Sequence, residues 1–351
     1  MNARERITTV LNGGIPDRVP IHDGYWQTTI ERWQREGMPT DVAPQDYFDL
    51  EMVWIAGDWT LQLPERVVSE EEHSRTYWDE MGALRSDLRT DIGWTSQWRD
   101  FSIKTKDDWL KYRDRMAFNC SRIPAWAMET YQRARAQGKF ICYQAHGCFH
   151  PTWMKIGMEQ EMMWMLEQPE WMHEMFAAHT TLILDIFDAM WEMGMAFDGA
   201  LIADDLGYQA SPLISPRLYR ELVLPYHKQV CDHLAERGLK AMLHSDGNVA
   251  PLIPLFIDAG FAGLHPLEAK AGLDVRQLKL QYGDRLVLLG NIDARKLSGT
   301  QEEIEEEIAT KVTAAKQGGG YIYHSDHSVP NTVSFENYCF ALECVKRYGA
   351  Y

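Results

Sequence analysis

Lys240-Ala241-Met242-Leu243-His244-Ser245-Asp246-Gly247-Asn248 decides how the rest of the chain is read. A short apolar run, Lys240 to Leu243, stops at polar groups and a glycine, and a helical pattern follows from Val249 to Ala259. A run with no polar alternation suits a strand buried on both faces, and a helix behind it suits a parallel crossover. The unit recurs at Phe140-Ile141-Cys142-Tyr143, Gly199-Ala200-Leu201-Ile202, Phe261-Ala262-Gly263-Leu264, Leu286-Val287-Leu288-Leu289 and Tyr321-Ile322-Tyr323. Arg18-Val19-Pro20-Ile21 reads as one more strand near the start. Helical patterns lie between these runs over Glu161 to Met195, Pro216 to Arg237 and Gln301 to Lys316.

This alternation predicts an α/β chain. An open doubly wound sheet is the competing arrangement, but no G-x-G-x-x-G follows any strand, so a dinucleotide site has no support. The expectation is a (β/α)8 TIM barrel with an N-terminal extension, as a single domain over residues 1–351. Seven strands are visible and an eighth is expected within the first 140 residues. Val67 to Ile103 breaks the pattern. Tyr77-Trp78-Asp79-Glu80-Met81-Gly82-Ala83-Leu84 reads as an antiparallel hairpin with a glycine in its turn, expected as an insertion near the barrel mouth.

The chain's 351 residues, 45% of them hydrophobic, suffice for one large core. A formal net charge of -16 argues against nucleic acid as a partner, since phosphate binding needs an excess of Lys and Arg. Six cysteines without a C-x-x-C pair read as reduced thiols rather than a disulfide scaffold. Met1 to Arg6 is polar with no apolar stretch behind it, and no run approaches the ~18 apolar residues of a membrane span. A cytoplasmic location is expected.

The residues just beyond the apolar runs carry the chemistry. His22, His146, His150, His244, His265, His324 and His327, seven of the twelve histidines, fall there. Asp or Asn at such places is explained by helix capping, but histidine is not. In a barrel all these ends meet on one face, where a ring of His and Asp can hold a metal or shuttle protons. His244 and Asp246 are two apart and so point the same way from their strand. His324 and Asp326 repeat that spacing, with His327 following. Two nitrogens and a carboxylate suit zinc or another divalent transition metal. The alternative is that Asp246 caps the next helix and His244 is an interior histidine. Asp204-Asp205 is a pair of carboxylates, one of which can carry a raised pKa and act as an acid. A cap plus an ion pair is the other reading.

The chain resembles the uroporphyrinogen decarboxylase superfamily over nearly all its length. Arg4-Glu5-Arg6 with Gly14-Ile15-Pro16-Asp17-Arg18-Val19-Pro20 is similar to that family's N-terminal stretch. Asp204-Asp205-Leu206-Gly207, Ser215-Pro216 and Tyr226 are similar to its middle. His244-Ser245-Asp246-Gly247-Asn248 and Gly290-Asn291-Ile292-Asp293 resemble the later strands, and Ser328-Val329-Pro330 with Phe335-Glu336-Asn337-Tyr338 resembles the C-terminal signature. The resemblance implies a (β/α)8 barrel. One branch decarboxylates uroporphyrinogen without a cofactor and has an Arg-rich turn after the first strand. Here that turn reads His22-Asp23-Gly24-Tyr25-Trp26-Gln27, so the cationic clamps for a many-carboxylate substrate are missing.

The other branch comprises zinc-using, cobalamin-dependent methyltransferases. Its thiol-methylating members place a Cys where Asp246 stands, in a His-x-Cys-Gly segment, and a second Cys where His327 stands. The resemblance therefore implies His244, Asp246 and His327 as metal ligands, with water, Asp205, His265 or Glu268 as a fourth. Harder ligands leave the ion more Lewis acidic, which suits help for an oxygen leaving group rather than thiol activation.

The expected function is zinc-dependent methyl transfer from a small methoxylated aryl ether to a corrinoid carried by a partner protein. Asp204, Asp205 and His146 are the expected catalytic groups; Tyr25, Trp26, Tyr143, Tyr208 and His265 are the expected substrate contacts. A homodimer is compatible with the resemblance. The alternative is a cofactor-independent decarboxylase or lyase of a small carboxylic acid.

Overall fold

The structure is a computed structural model that describes residues 1–90 and 93–351. In chain order the strands are β1 (Met52–Ala56), β2 (Arg66–Glu71), β3 (Ser74–Trp78), β4 (Ala83–Thr90), β5 (Gly93–Phe101), β6 (Phe140–His146), β7 (Gly199–Ala203), β8 (Ala241–His244), β9 (Gly263–His265), β10 (Val287–Leu289) and β11 (Tyr321–Ile322). Seven of them form one parallel sheet in the order β1-β6-β7-β8-β9-β10-β11. Sequence order and spatial order thus run together, as strand–helix alternation leads one to expect.

The strand missing from the sequence reading is β1. Residues 20–22 meet both edges of the sheet: His22 N–H donates to Tyr323 O (3.0 Å), Tyr323 N–H to Pro20 O (2.9 Å), and Glu51 N–H to Ile21 O (3.0 Å). That arrangement is consistent with a barrel whose first stave is residues 18–22.

Side chains along the parallel strands alternate between two surroundings. Met52, Phe140, Cys142, Leu201, Met242, Val287, Leu289 and Ile322 form one buried cluster with Ile7, Val10 and Leu11. Those three belong to the helix Ala3–Leu11, which an Asn2/Glu5 capping box starts. The N-terminal extension therefore plugs the space enclosed by the strands' N-terminal halves. Residues of the other parity, including Ile141, Tyr143, Ile202, Leu243, Leu288 and Tyr321, join the larger cluster with the surrounding helices.

Two long helical patterns are interrupted. Glu161 to Met195 is two helices, Met158–Glu167 and Pro169–Glu192, because Pro169 disfavours a helical conformation at Gln168. Within Pro216 to Arg237 a π-helical turn spans Tyr219–Val223, just before Pro225, which has no N–H for the regular ladder.

The expected hairpin is part of a larger unit. β2 to β5 make a four-stranded antiparallel sheet in sequence order. Its β3–β4 turn is held by Asp79, whose Oδ1 accepts from the N–H groups of Met81 (3.0 Å) and Ala83 (2.8 Å). Thr95, Ser96 and Trp98 of β5 share a cavity of about 480 Å³ with Trp26, Arg295 and His327, so this sheet lies over the C-terminal ends of the parallel strands. Among the described residues no helix is long and apolar enough to cross a membrane.

Candidate active site

The inward parity of the strands continues past the apolar floor into polar groups. Gln144 and His146 of β6, Ala203 of β7, His244 of β8, His265 of β9 and His324 after β11 surround a cavity of about 310 Å³ together with Trp26, Trp54, Asp246 and His327. Among the described residues no Lys or Arg lines it, while Lys270 and Arg295 line the adjoining cavity that shares Trp26, His327 and Ser328.

Asp205, His244 and Asp246 form one cluster, with one ligand atom of each within 4.8 Å of the others; the buried Cys148, Asp204 and His227 form a second. His244 Nε2 is 3.6 Å from Asp205 Oδ1 and 3.8 Å from Asp246 Oδ1. Asp205 also accepts the backbone N–H of Asp246 (3.1 Å). The two loops meet backbone to backbone: a Cβ on Gly207 would stand 2.3 Å from Asp246 O, and one on Gly247 2.5 Å from Tyr208 N. Glycine at both places is what lets carboxylates from separate loops converge.

His150 supports the cluster from outside, its Nδ1 2.9 Å from Asp205 Oδ2 and its ring stacked on Trp153 at 4.7 Å. Burial works against a charged His150, yet the contact with Asp205 outweighs it and raises the imidazole's pKa. Burial likewise works against ionised Asp205, but His150 and then His244 pull its pKa below the usual carboxylate range. Asp246 goes the other way, raised by burial, and its Oδ1 is buried without a hydrogen-bond partner. One imidazole and two carboxylates, one oxygen of which is unsatisfied, are a donor set suited to a divalent cation.

The structure redistributes several expected roles. His327 shares the cavity with His244 and Asp246, but it stacks on Trp26 (5.7 Å between ring centres) and is not in the tight cluster, where Asp205 stands instead. Asp204, expected as an acid, is a buried anchor. It accepts the N–H groups of Phe149 (3.2 Å) and His150 (2.5 Å), and His227 Nε2 lies 2.8 Å away. It thereby caps the helix Phe149–Ile156 that carries His150, while Tyr219 holds the far side of His227 at 2.8 Å.

Tyr143, expected as a substrate contact, does not line the cavity. It faces the helices, and its hydroxyl donates to Ile183 O (2.5 Å), because its parity is opposite to that of Gln144 and His146. Tyr208 is 63% exposed and does not line the cavity. Tyr25 lies within an aromatic cluster, its hydroxyl 2.9 Å from that of Tyr338. Asp326 does not repeat the role of Asp246, for it accepts the N–H groups of Ala269 (3.0 Å) and Ala294 (2.9 Å).

His146 lines the cavity against Trp59 (4.3 Å between ring centres), and burial lowers its pKa to about 3, so it is neutral near pH 7. His265 lines it too, its Nδ1 2.6 Å from His244 Nδ1. Trp54 was missed with its strand; the signal was the apolar run Met52-Val53-Trp54-Ile55-Ala56.

The chain is 26% identical over 191 residues to a uroporphyrinogen decarboxylase from Pseudoalteromonas translucida, covering 52% of this chain and 50% of that protein. It is 24% identical over 217 residues to one from Coxiella burnetii, covering 59% of this chain and 55% of that one. The chain thus spans about half the length of the curated relatives it matches. A solved methyltransferase from Methanosarcina mazei superposes with a TM-score of 0.68 over 99% of both chains at 18% identity, a likeness of fold. The sequence pattern of the uroporphyrinogen decarboxylase (URO-D) family matches residues 152–348, more than half of the 351, and the chain belongs to that family.

Proposed function

We propose that this chain, an eight-stave barrel closed by residues 18–22, is a metal-dependent methyltransferase that moves a methyl group from a small methoxylated aromatic to a corrinoid carried by a partner protein. The observation that carries this reading is the convergence of Asp205, His244 and Asp246 within 4.8 Å, the latter two lining the cavity. These three would hold the ion, zinc being the favoured candidate. A bound divalent ion supplies Lewis acidity for the oxygen that the methyl group leaves behind.

The protein's own groups do the rest. His150 and the backbone N–H of Asp246 fix the Asp205 carboxylate. Trp26 and Trp54 give the cavity flat apolar walls suited to an aromatic ring. The sheet β2–β5 covers part of the mouth and limits water. The competing decarboxylase reading asks for cationic partners for substrate carboxylates; among the described residues none lines this cavity, and Lys270 and Arg295 stand in the adjoining one.

The test is metal content together with methyl transfer to cob(I)alamin from methoxyphenols. Zinc at about one equivalent, lost in His244→Ala and Asp246→Ala along with cobalamin methylation, is the expected result. Carbon dioxide release from small carboxylic acids by metal-free protein would favour the decarboxylase instead.

A further inference from the structure

His244 and His265 end neighbouring strands of the parallel sheet, and they are register partners across the β8–β9 pair. Side chains in register on adjacent parallel strands leave the same face, so both imidazoles reach the cavity side by side, with ring centres 4.8 Å apart. His265 is only 4% exposed, and its ring is confined by those of His324 (4.4 Å, edge-on) and Trp54 (6.2 Å) as well. Its backbone is tied to the next turn of β8, where Ser245 N–H donates to His265 O (2.9 Å). Within this packing Nδ1 of His265 stands 2.6 Å from Nδ1 of His244.

That contact is a hydrogen bond and not shared coordination. Two nitrogens on one tetrahedral zinc, each bound at about 2.0–2.1 Å, stand about 3.3 Å apart. At 2.6 Å an ion does not fit between them, and one proton does. The other nitrogen of His244 faces the candidate metal ligands, with Nε2 3.6 Å from Asp205 Oδ1 and 3.8 Å from Asp246 Oδ1. A metal takes an imidazole nitrogen by its lone pair, so an ion on Nε2 puts the His244 proton on Nδ1. His265 Nδ1 then accepts that proton's hydrogen bond. The remaining proton of the His265 ring sits on Nε2, an atom that is buried without a protein partner.

We infer that His265 is the positioning residue of the candidate metal site: it accepts the Nδ1–H of His244, fixes the tautomer that turns the His244 Nε2 lone pair toward Asp205 and Asp246, and does not itself bind the ion. This inference rests on the metal-dependent reading of the same cluster. A metal-binding histidine is usually oriented by a carboxylate, a carbonyl or water on its other nitrogen. Here a second imidazole takes that place, set there by strand register. His150 stands in the same relation to Asp205, so two of the three candidate ligands each have an imidazole behind them.

The experiment adds zinc to the full-length chain, measures its affinity by chelator competition, and reads the histidine rings by nitrogen NMR in isotopically labelled protein. The zinc-loaded chain is expected to show His265 unligated, with its proton on Nε2 and Nδ1 bare. His265→Phe, which keeps a flat ring and removes the acceptor, is expected to weaken zinc binding by about 10–100-fold. His265→Asn, whose side-chain oxygen can stand where Nδ1 does, is expected to stay within about threefold of the unaltered chain. Zinc on a nitrogen of His265, or equal zinc affinities in the two variants, overturns the positioning role. The spectrum of the unaltered chain decides the matter even where His265→Phe does not fold. Zinc bound as expected, with no methyl transfer from methoxyphenols to cob(I)alamin, leaves the role of His265 standing and removes the methyltransferase reading. No zinc binding by the unaltered chain overturns both.

Discussion

Asp204 and Asp205 are consecutive in the chain, yet their carboxylates serve opposite sides of the strand wall. Asp204 is buried among the helices, bonded to Phe149 N, His150 N and His227. Asp205 joins His150, and by its own contacts His244 and Asp246, which line the cavity. One carboxylate builds the helix that carries His150; the other receives that histidine.

The two aspartates are therefore separable by mutation. Asp204→Ala strands two helix N–H groups and a histidine in the core, and loss of a buried partner of this kind costs about 3–5 kcal/mol. Thermal unfolding of the variant should show a large fall in Tm. Asp205→Asn should unfold close to the unaltered chain but bind zinc at least about 100-fold more weakly, a loss expected to exceed that for a supporting residue. The reverse pattern would place the metal on the Asp204 side.

His150 touches Asp205 and does not line the cavity. His150→Ala should weaken zinc binding by about 10–100-fold, the usual size for loss of a group that orients a ligand. Competition with a chromogenic chelator measures it. Unchanged zinc affinity in a folded variant would reduce His150 to a packing residue.

Lys155 gives a pH-dependent stability. It is fully buried, and burial lowers its pKa from 10.5 to about 7. Below pH 7 both folded and unfolded chains carry the proton, and the folded state bears the full cost of the buried charge. Between about 7 and 10.5 the unfolded chain binds more protons, so this group's contribution to stability improves as pH rises through that window. Lys155→Met should raise Tm near pH 6, by an amount corresponding to a few kcal/mol, and change it little near pH 10. Equal gains at both pH values would refute the assignment.

Tyr143 tests the orientation of β6. Tyr143→Phe removes a buried hydrogen bond to Ile183 O and should cost about 1–3 kcal/mol of stability. Binding of the aromatic substrate should not change. A selective rise in KM for the methyl donor would put Tyr143 back at the cavity.

Alternation along the strands is legible in the sequence. Leu201, Ala203 and Asp205 share one parity, Ile202 and Asp204 the other, so the side on which Asp205 meets His244 follows from its spacing to Leu201 and Ala203, which line the cavity. The same count separates His146 from Tyr143. β1 stayed hidden because Met52–Ala56 is short and is followed by a four-stranded insertion rather than a helix. Trp54 stayed hidden with it. The opposite behaviour of Asp326 and Asp246, which share a His-x-Asp spacing, could not be read from spacing. It depends on which loop N–H groups lie within reach, Ala269 and Ala294 for Asp326 and none for Asp246 Oδ1.

By itself the sequence determined the alternation of strands and helices from Phe140 onward and the family resemblance, because these follow from local periodicity and from motifs carried in order along the chain. Only the tertiary structure decided that Asp205, rather than His327, stands with His244 and Asp246. That choice is made by the close backbone approach at Gly207 and Gly247 and by the stacking of His327 on Trp26. Contacts between loops some forty residues apart, shaped by what each side chain packs against, have no counterpart in local spacing.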